Sequence, residues 1–313
     1  MKRVLSAAAL LALAGLAFAT VPARAEDPGL WGLYNETLRQ AKYIDLTHAF
    51  APTIAVWPGF GGAKFKPALA GRDIEGYVKT GQEFTYADHG FVATAYELTT
   101  DQYGTQLDPP AHWDEYGATI SDLPATYAIR PLVVIDIHDK VAADEGYHAT
   151  VEDIQVWEAK HGTVPEGSVV MIRSDWHKRW SETERFAQAP FPGITLDALK
   201  YLHLERKILF HGHEPLDTDT TPTLEGEYWL MHNQFTQAEG VANLDQVPEA
   251  GALIAIGYAK PEGGTGGYAR YVAIAPADWQ YGVTIAEAPG APLPKQTAPL
   301  RRDENGVMRP TPQ

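Results

Sequence analysis

The chain has 313 residues, with 40 acidic against 25 basic side chains and a formal net charge of -15 at pH 7. A protein this acidic repels phosphate backbones, which excludes nucleic acid as a partner. It has no cysteine, so no disulfide can staple it, and its 8 tryptophans and 15 tyrosines must help to build a sizeable core.

Residues 1–25 read as an export signal: Lys2 and Arg3 give a positive start, Ala7 to Ala19 an apolar run, and Ala23-Arg24-Ala25 a cleavage site. The alternative, a membrane anchor, needs ~18–20 apolar residues, and this run is shorter. The mature protein is therefore expected in a periplasm or secreted, with no membrane association after cleavage. Residues 26–287 contain no linker and no fixed-period repeat, so they are expected to form one domain. A helix is expected over 30–41 (LWGLYNETLRQA), then a strand and turn at YIDLTHAF, and a strand over 91–98.

The β-branched run RPLVVIDI (130–137) predicts a strand buried on both faces. TVEDIQVWEAKHG predicts a helix, with Thr150 as its cap, Asp153 three residues on and Gly162 at its end. A strand over 167–174, a capped helix over 195–205, and strands over 207–214, 251–260 and 269–276 follow. Strands alternating with helices indicate an α/β fold with a mixed sheet. Residues 288–313 are proline-rich and are expected to be a disordered or surface-lying tail, or else an arm that docks on a neighbouring subunit.

Chemistry concentrates at DQYGTQLDPPAHW, Asp101 to Trp113. In an extended conformation Gln102, Gln106, Asp108 and His112 share one face, and the residue before a proline is held out of helix. Past the double proline the alignment of His112 is less secure than that of Gln106 and Asp108. Hard oxygen donors ending in an imidazole suit a metal with an adjacent base. The competing reading is a proline-rich loop whose polar side chains cap its own backbone. Two further concentrations follow: FHGHEPLDTDTT, with His211, His213, Glu214, Asp217 and Asp219, and MHNQFTQAEG, with His232, Gln237 and Glu239.

GTQLDPPAHW resembles the signature H-x-G-T-H-x-D-x-P-x-H of the metal-dependent cyclase family, which includes bacterial kynurenine formamidases and isatin hydrolases. DLTH at Asp45, WPGF at Trp57, GSVVMIRSDW at Gly167, FPGITLDALKYL at Phe191 and EGVANLDQVPEAG at Glu239 also resemble family blocks, in family order. The resemblance implies a β/β/α mixed-sheet core and a hydrolase that opens amide-type bonds with metal-bound water. Gln102 and Gln106 stand where the family has histidines. Asp108 matches its aspartate, His112 its proton-transferring histidine and Glu239 its distal glutamate.

The distal histidine matches His232 or His213; His232 is taken as a ligand and His213 as lining the substrate pocket. Two glutamines for two histidines replace imidazole nitrogens by neutral oxygens, which favours a divalent ion such as Mn2+ over Zn2+. Trp57, Phe60 and Trp113 are expected to stack on a small aromatic substrate such as N-formylkynurenine or isatin, although each alone would serve equally as core filler. Family habit implies a homo-oligomer. The rival readings are a non-catalytic periplasmic binding protein on the same fold, and a cyclase or dehydratase.

Overall fold

The structure, a computed structural model, describes residues 29–285 and 292–311. The export signal read in residues 1–25 and the first residues of the tail lie outside the described residues. Eight strands make the main sheet: β1 (Lys42–Asp45), β2 (Gln106–Asp108), β3 (Ile129–Asp136), β4 (Val169–Arg173), β5 (Phe210–His213), β6 (Thr236–Glu239), β7 (Ala252–Tyr258) and β8 (Gly267–Ala275). They bond in the order β1-β8-β7-β3-β4-β5-β6-β2, and β2 also bonds back to β8. The neighbours β3 to β6 run parallel and the other pairs antiparallel. The result is a single mixed α/β domain, as expected, in which the sheet closes into a barrel.

Alternation along the strands divides the core in two. Leu132, Val134, Val169, Met171 and Phe210 fill the barrel interior. Val133, Ile135, Val170 and Ile172 face outward and pack under helices, against Ile154, Trp157, Leu199 and Leu202. The expected helix over 150–162 is Val151–His161, and its capping box is complete: Thr150 accepts from the Asp153 amide, and the Asp153 carboxylate accepts from the Thr150 amide at 2.8 Å. That reciprocal cap stabilises a helix end by about 1 kcal/mol.

One expectation changes, and two elements are new. The strand expected over 91–98 is Thr94–Glu97, and it pairs with Lys64–Pro67 in a separate two-stranded antiparallel sheet rather than in the barrel. The polar strand β6, TQAE, and the helix Glu225–His232 carry no apolar rhythm that announces them. The helix begins after Leu224 at φ 47° and has no capping side chain in the usual place. Asp219 accepts from the Gly226 amide at 2.8 Å and Thr221 accepts from the Glu225 amide at 2.9 Å. The polar DTDTT segment thus caps a helix across a loop.

The described part of the tail forms a hairpin, Leu300–Arg302 with Met308–Pro310. It lies on the chain's own surface, where the Arg302 guanidinium donates to the Ala93 carbonyl at 2.7 Å and to Thr94 Oγ1 at 3.1 Å. Among the described residues no helix is long and apolar enough to cross a membrane.

Candidate active site

The site grows from the seam where β2 meets β6. Their register sets Gln106 opposite Glu239, Leu107 opposite Ala238 and Asp108 opposite Gln237. Leu107 and Ala238 point into the barrel core. By alternation the four polar residues point outward, beneath the helix Glu225–His232, which presents Glu227 to them. Close approach at the seam requires glycine: a Cβ on Gly240, at φ 61°, would sit 2.9 Å from the Gly104 carbonyl oxygen.

Asp108, Glu227 and Glu239 are buried, and each offers a carboxylate oxygen within 4.8 Å of the others. Two glutamine amides lace them together. Gln106 Nε2 donates to Glu239 Oε2 at 2.8 Å and to Asp108 Oδ2 at 3.2 Å. Gln237 Nε2 donates to Glu227 Oε1 at 3.0 Å and to Glu239 Oε1 at 2.9 Å. Burial pushes the Asp108 carboxyl up to about 7, against the pull of these amides. Burial first, and then the neighbouring carboxylates, pushes Glu227 and Glu239 well above the usual range.

The cluster fits a cation. Asp108 Oδ1, Glu227 Oε2 and Gln106 Oε1 are buried without a hydrogen-bond partner. Buried polar atoms are ordinarily satisfied, and three orphaned oxygens among carboxylates match what a hard divalent ion takes.

His112 stands beside this cluster, in the short turn Pro110–His112, with Nε2 3.6 Å from Glu227 Oε1. Gln102 sets its protonation. The Gln102 amide nitrogen donates at 2.9 Å to the Thr265 carbonyl, which can only accept, and the same nitrogen lies 3.1 Å from His112 Nδ1. Nδ1 is therefore an acceptor, and the neutral ring carries its hydrogen on Nε2. Burial lowers the pKa of His112, so the neutral form dominates near pH 7, although Asp101 opposes the shift. Trp113 follows and donates its indole N–H to Glu227 Oε1 at 2.9 Å.

A cavity of about 230 Å3 opens onto these groups. Its walls include Trp57, Phe60, Trp113, Leu216 and Leu224, with Gln102, Gln106, His112, Asp217, Glu227 and Glu239 as the polar lining. The lining contains no lysine or arginine among the described residues. Trp57 and Phe60 pack together with ring centroids 5.4 Å apart, and the Trp57 indole donates to Asp217 Oδ2 at 3.1 Å.

Of the residues expected to ligate a metal, the structure brings Gln106, Asp108 and Glu239 together. Gln102 and His232 stay apart from them. Gln102 has its oxygen on the Thr100 hydroxyl and its nitrogen on Thr265 and His112, which makes it a positioning residue. His232 is exposed at its helix end, stacked on Tyr228 and bonded to that residue's carbonyl, because helical spacing from Glu227 turns it to solvent. His213 does not line the cavity; it is buried on β5 with Nε2 3.3 Å from Glu239 Oε1, where burial holds its pKa down at about 3. Sequence reasoning missed Glu227, because its helix was missed, and it gave no role to Gln237.

The sequence matches the Cyclase family over residues 44–220. An isatin hydrolase of Roseibium aggregatum is 32% identical over 205 residues, covering 61% of this chain and 78% of the relative. Among solved structures, isatin hydrolase A from Ralstonia solanacearum superposes with a TM-score of 0.67 at 26% identity, over 81% of this chain and 100% of that one. An isatin hydrolase bound to the product analogue thioisatinate superposes with a TM-score of 0.67 at 26% identity, over 79% and 97% of the two chains.

Proposed function

The chain belongs to the Cyclase family, and on that premise we propose that it is an exported, metal-dependent hydrolase of amide-type bonds in small aromatic compounds, either an aryl formamide or a cyclic amide of the isatin kind. The observation that carries this reading is the trio Asp108, Glu227 and Glu239, with orphaned oxygens, at the end of an aromatic-walled cavity beside a neutral histidine. These three carboxylates, with Gln106 in contact with two of them, would hold the ion. An all-oxygen set suits Mn2+ better than Zn2+. When bound, such an ion polarises the scissile carbonyl and acidifies water.

The chain's own groups handle substrate and proton. Trp57, Phe60 and Trp113 form an apolar wall that orients an aromatic ring and excludes water from it. The proton that the attacking water loses passes to the Glu227 carboxylate and on to the leaving nitrogen as the C–N bond breaks, while the oxygen of that water stays on the carbonyl carbon. His112, with its hydrogen on Nε2 3.6 Å from Glu227 Oε1, donates that N–H into the relay and orients the transfer. Gln102 keeps Nε2 as the working atom by occupying Nδ1.

The test is His112→Ala, assayed with manganese against aryl formamides and lactams in 18O-water. Turnover is expected to fall about 10²–10⁴-fold, as for loss of a proton-transfer residue, while manganese affinity stays within about twofold. Unchanged turnover would remove His112 from the mechanism. Product without solvent oxygen would point to cyclase or dehydratase chemistry, and saturable binding without turnover to a binding protein.

A further inference from the structure

We propose that this site selects aromatic amides that carry no acidic group and that present a hydrogen-bond donor, neutral or cationic, to Asp217. The inference deepens the hydrolase reading above and rests on it.

The charge on the cavity wall has one sign. Asp217, Glu227 and Glu239 line it, and no lysine or arginine stands among them. Two of the three belong to the cluster that would hold the ion, whereas Asp217 lies outside it. Even with a dication bound, ionised Asp108, Glu227 and Glu239 together leave a negative balance, and Asp217, whose carboxyl burial pushes up to about 7, adds its own charge at about pH 8, where the comparison is made. In a small, apolar-walled cavity such charge is poorly screened, so a ligand carboxylate meets repulsion on every polar wall except at the ion.

Asp217 is also built as an oriented acceptor. It follows β5 between the buried residues Leu216 and Thr218, which fix its backbone. Oδ2 takes the Trp57 indole N–H at 3.1 Å, and among the described residues this is the one hydrogen bond given to the side chain. The other oxygen stays available to the cavity that the residue lines. An acceptor anchored against an aromatic face matches a planar ring whose edge carries an N–H, O–H or ammonium group.

The probes are formanilides with para aminomethyl, hydroxymethyl or carboxylate groups, compared with manganese-loaded protein. Steady-state kinetics are run on the wild type and on Asp217→Asn, whose amide oxygen still accepts from Trp57. Equilibrium binding is measured on manganese-loaded His112→Ala, which keeps Asp217 and the aromatic wall. The aminomethyl compound is expected to bind and turn over at least about tenfold better than the carboxylate, with the hydroxymethyl compound between, and Asp217→Asn should reduce that ratio to about threefold or less.

Equal or better use of the carboxylate by wild-type protein overturns the proposal, and so does an unchanged ratio in Asp217→Asn. If that variant does not fold, the wild-type ratio alone decides. Turnover without charge preference would sink the selectivity and leave the hydrolase reading standing. Preference in binding without turnover of any formanilide would sink the hydrolase reading and leave the selectivity.

Discussion

Glu227→Gln is expected to act with opposite sign in the presence and absence of metal. Two unit charges 4.8 Å apart repel by roughly 3.5 kcal/mol at an effective dielectric of about 20. Protons shared within the trio soften that repulsion, so neutralising one member should stabilise the metal-free protein by about 1–3 kcal/mol at pH 8. The substitution is nearly isosteric, and the amide oxygen still accepts from Trp113 and Gln237, the two donors that Glu227 Oε1 now serves.

With manganese present the same change removes one of three anionic ligands. Affinity is expected to fall at least about tenfold, which lowers the stability gained at saturating metal by about 1.4 kcal/mol. Urea unfolding in a chelator and in millimolar manganese, with calorimetric titration of the ion, measures both arms. A variant less stable than wild type in the chelator, with unchanged manganese affinity, would refute the argument that this cluster is a cation site under charge strain.

Gly240→Ala places a Cβ 2.9 Å from the Gly104 carbonyl at a positive φ, so it should cost about 1–3 kcal/mol and weaken manganese binding while the circular dichroism spectrum is retained; unchanged metal affinity would show that the seam does not position the ligands. Glu158 accepts from Arg206, Tyr201 and the Val164 amide, and the Arg206 guanidinium holds its carboxyl down at about 2. Because the folded pKa lies below the unfolded one, this contribution is full above the ordinary glutamate range and is lost as pH falls through about 2. Glu158→Gln should therefore cost on the order of 1 kcal/mol at pH 7 and progressively less below pH 4, read from urea midpoints across that range; a cost that stays constant with pH would assign the effect to shape alone.

Legibility followed the physics of each segment. β3 was readable because four consecutive apolar residues, Leu132 to Ile135, serve two cores at once, and the Val151–His161 helix because its cap is local in sequence. β6 was not readable: Thr236, Gln237, Ala238 and Glu239 are all buried, but the polar members are buried by one another and by Glu227, a partner that only the fold supplies. The helix carrying Glu227 takes its cap from Asp219, seven residues ahead of the amide it serves, which no local capping rule detects.

Period-two spacing did place Gln106 and Asp108 together, since both lie within β2. It did not carry Gln102 and His112 to the cavity. Gly104 at φ 81° and the turn Pro110–His112 bend the chain on either side of the strand, so those two residues arrive by bending rather than by alternation.

Barrel closure gives the site a mechanical meaning. The pairing of β2 with β6 joins segments distant in sequence, 133 residues apart at Gln106 and Glu239, through short strands rich in polar groups, and β2 is also what completes the ring against β8. An ion held by Asp108 on one strand and Glu239 on the other acts as a rivet across that long-range closure, reinforced from the helix by Glu227. Its loading would then be a late event of folding, and its loss would slacken the ring first at Gln106–Asp108. Amide hydrogens of β2 and β6 should exchange faster in chelator while those of β3 and β4 keep their protection.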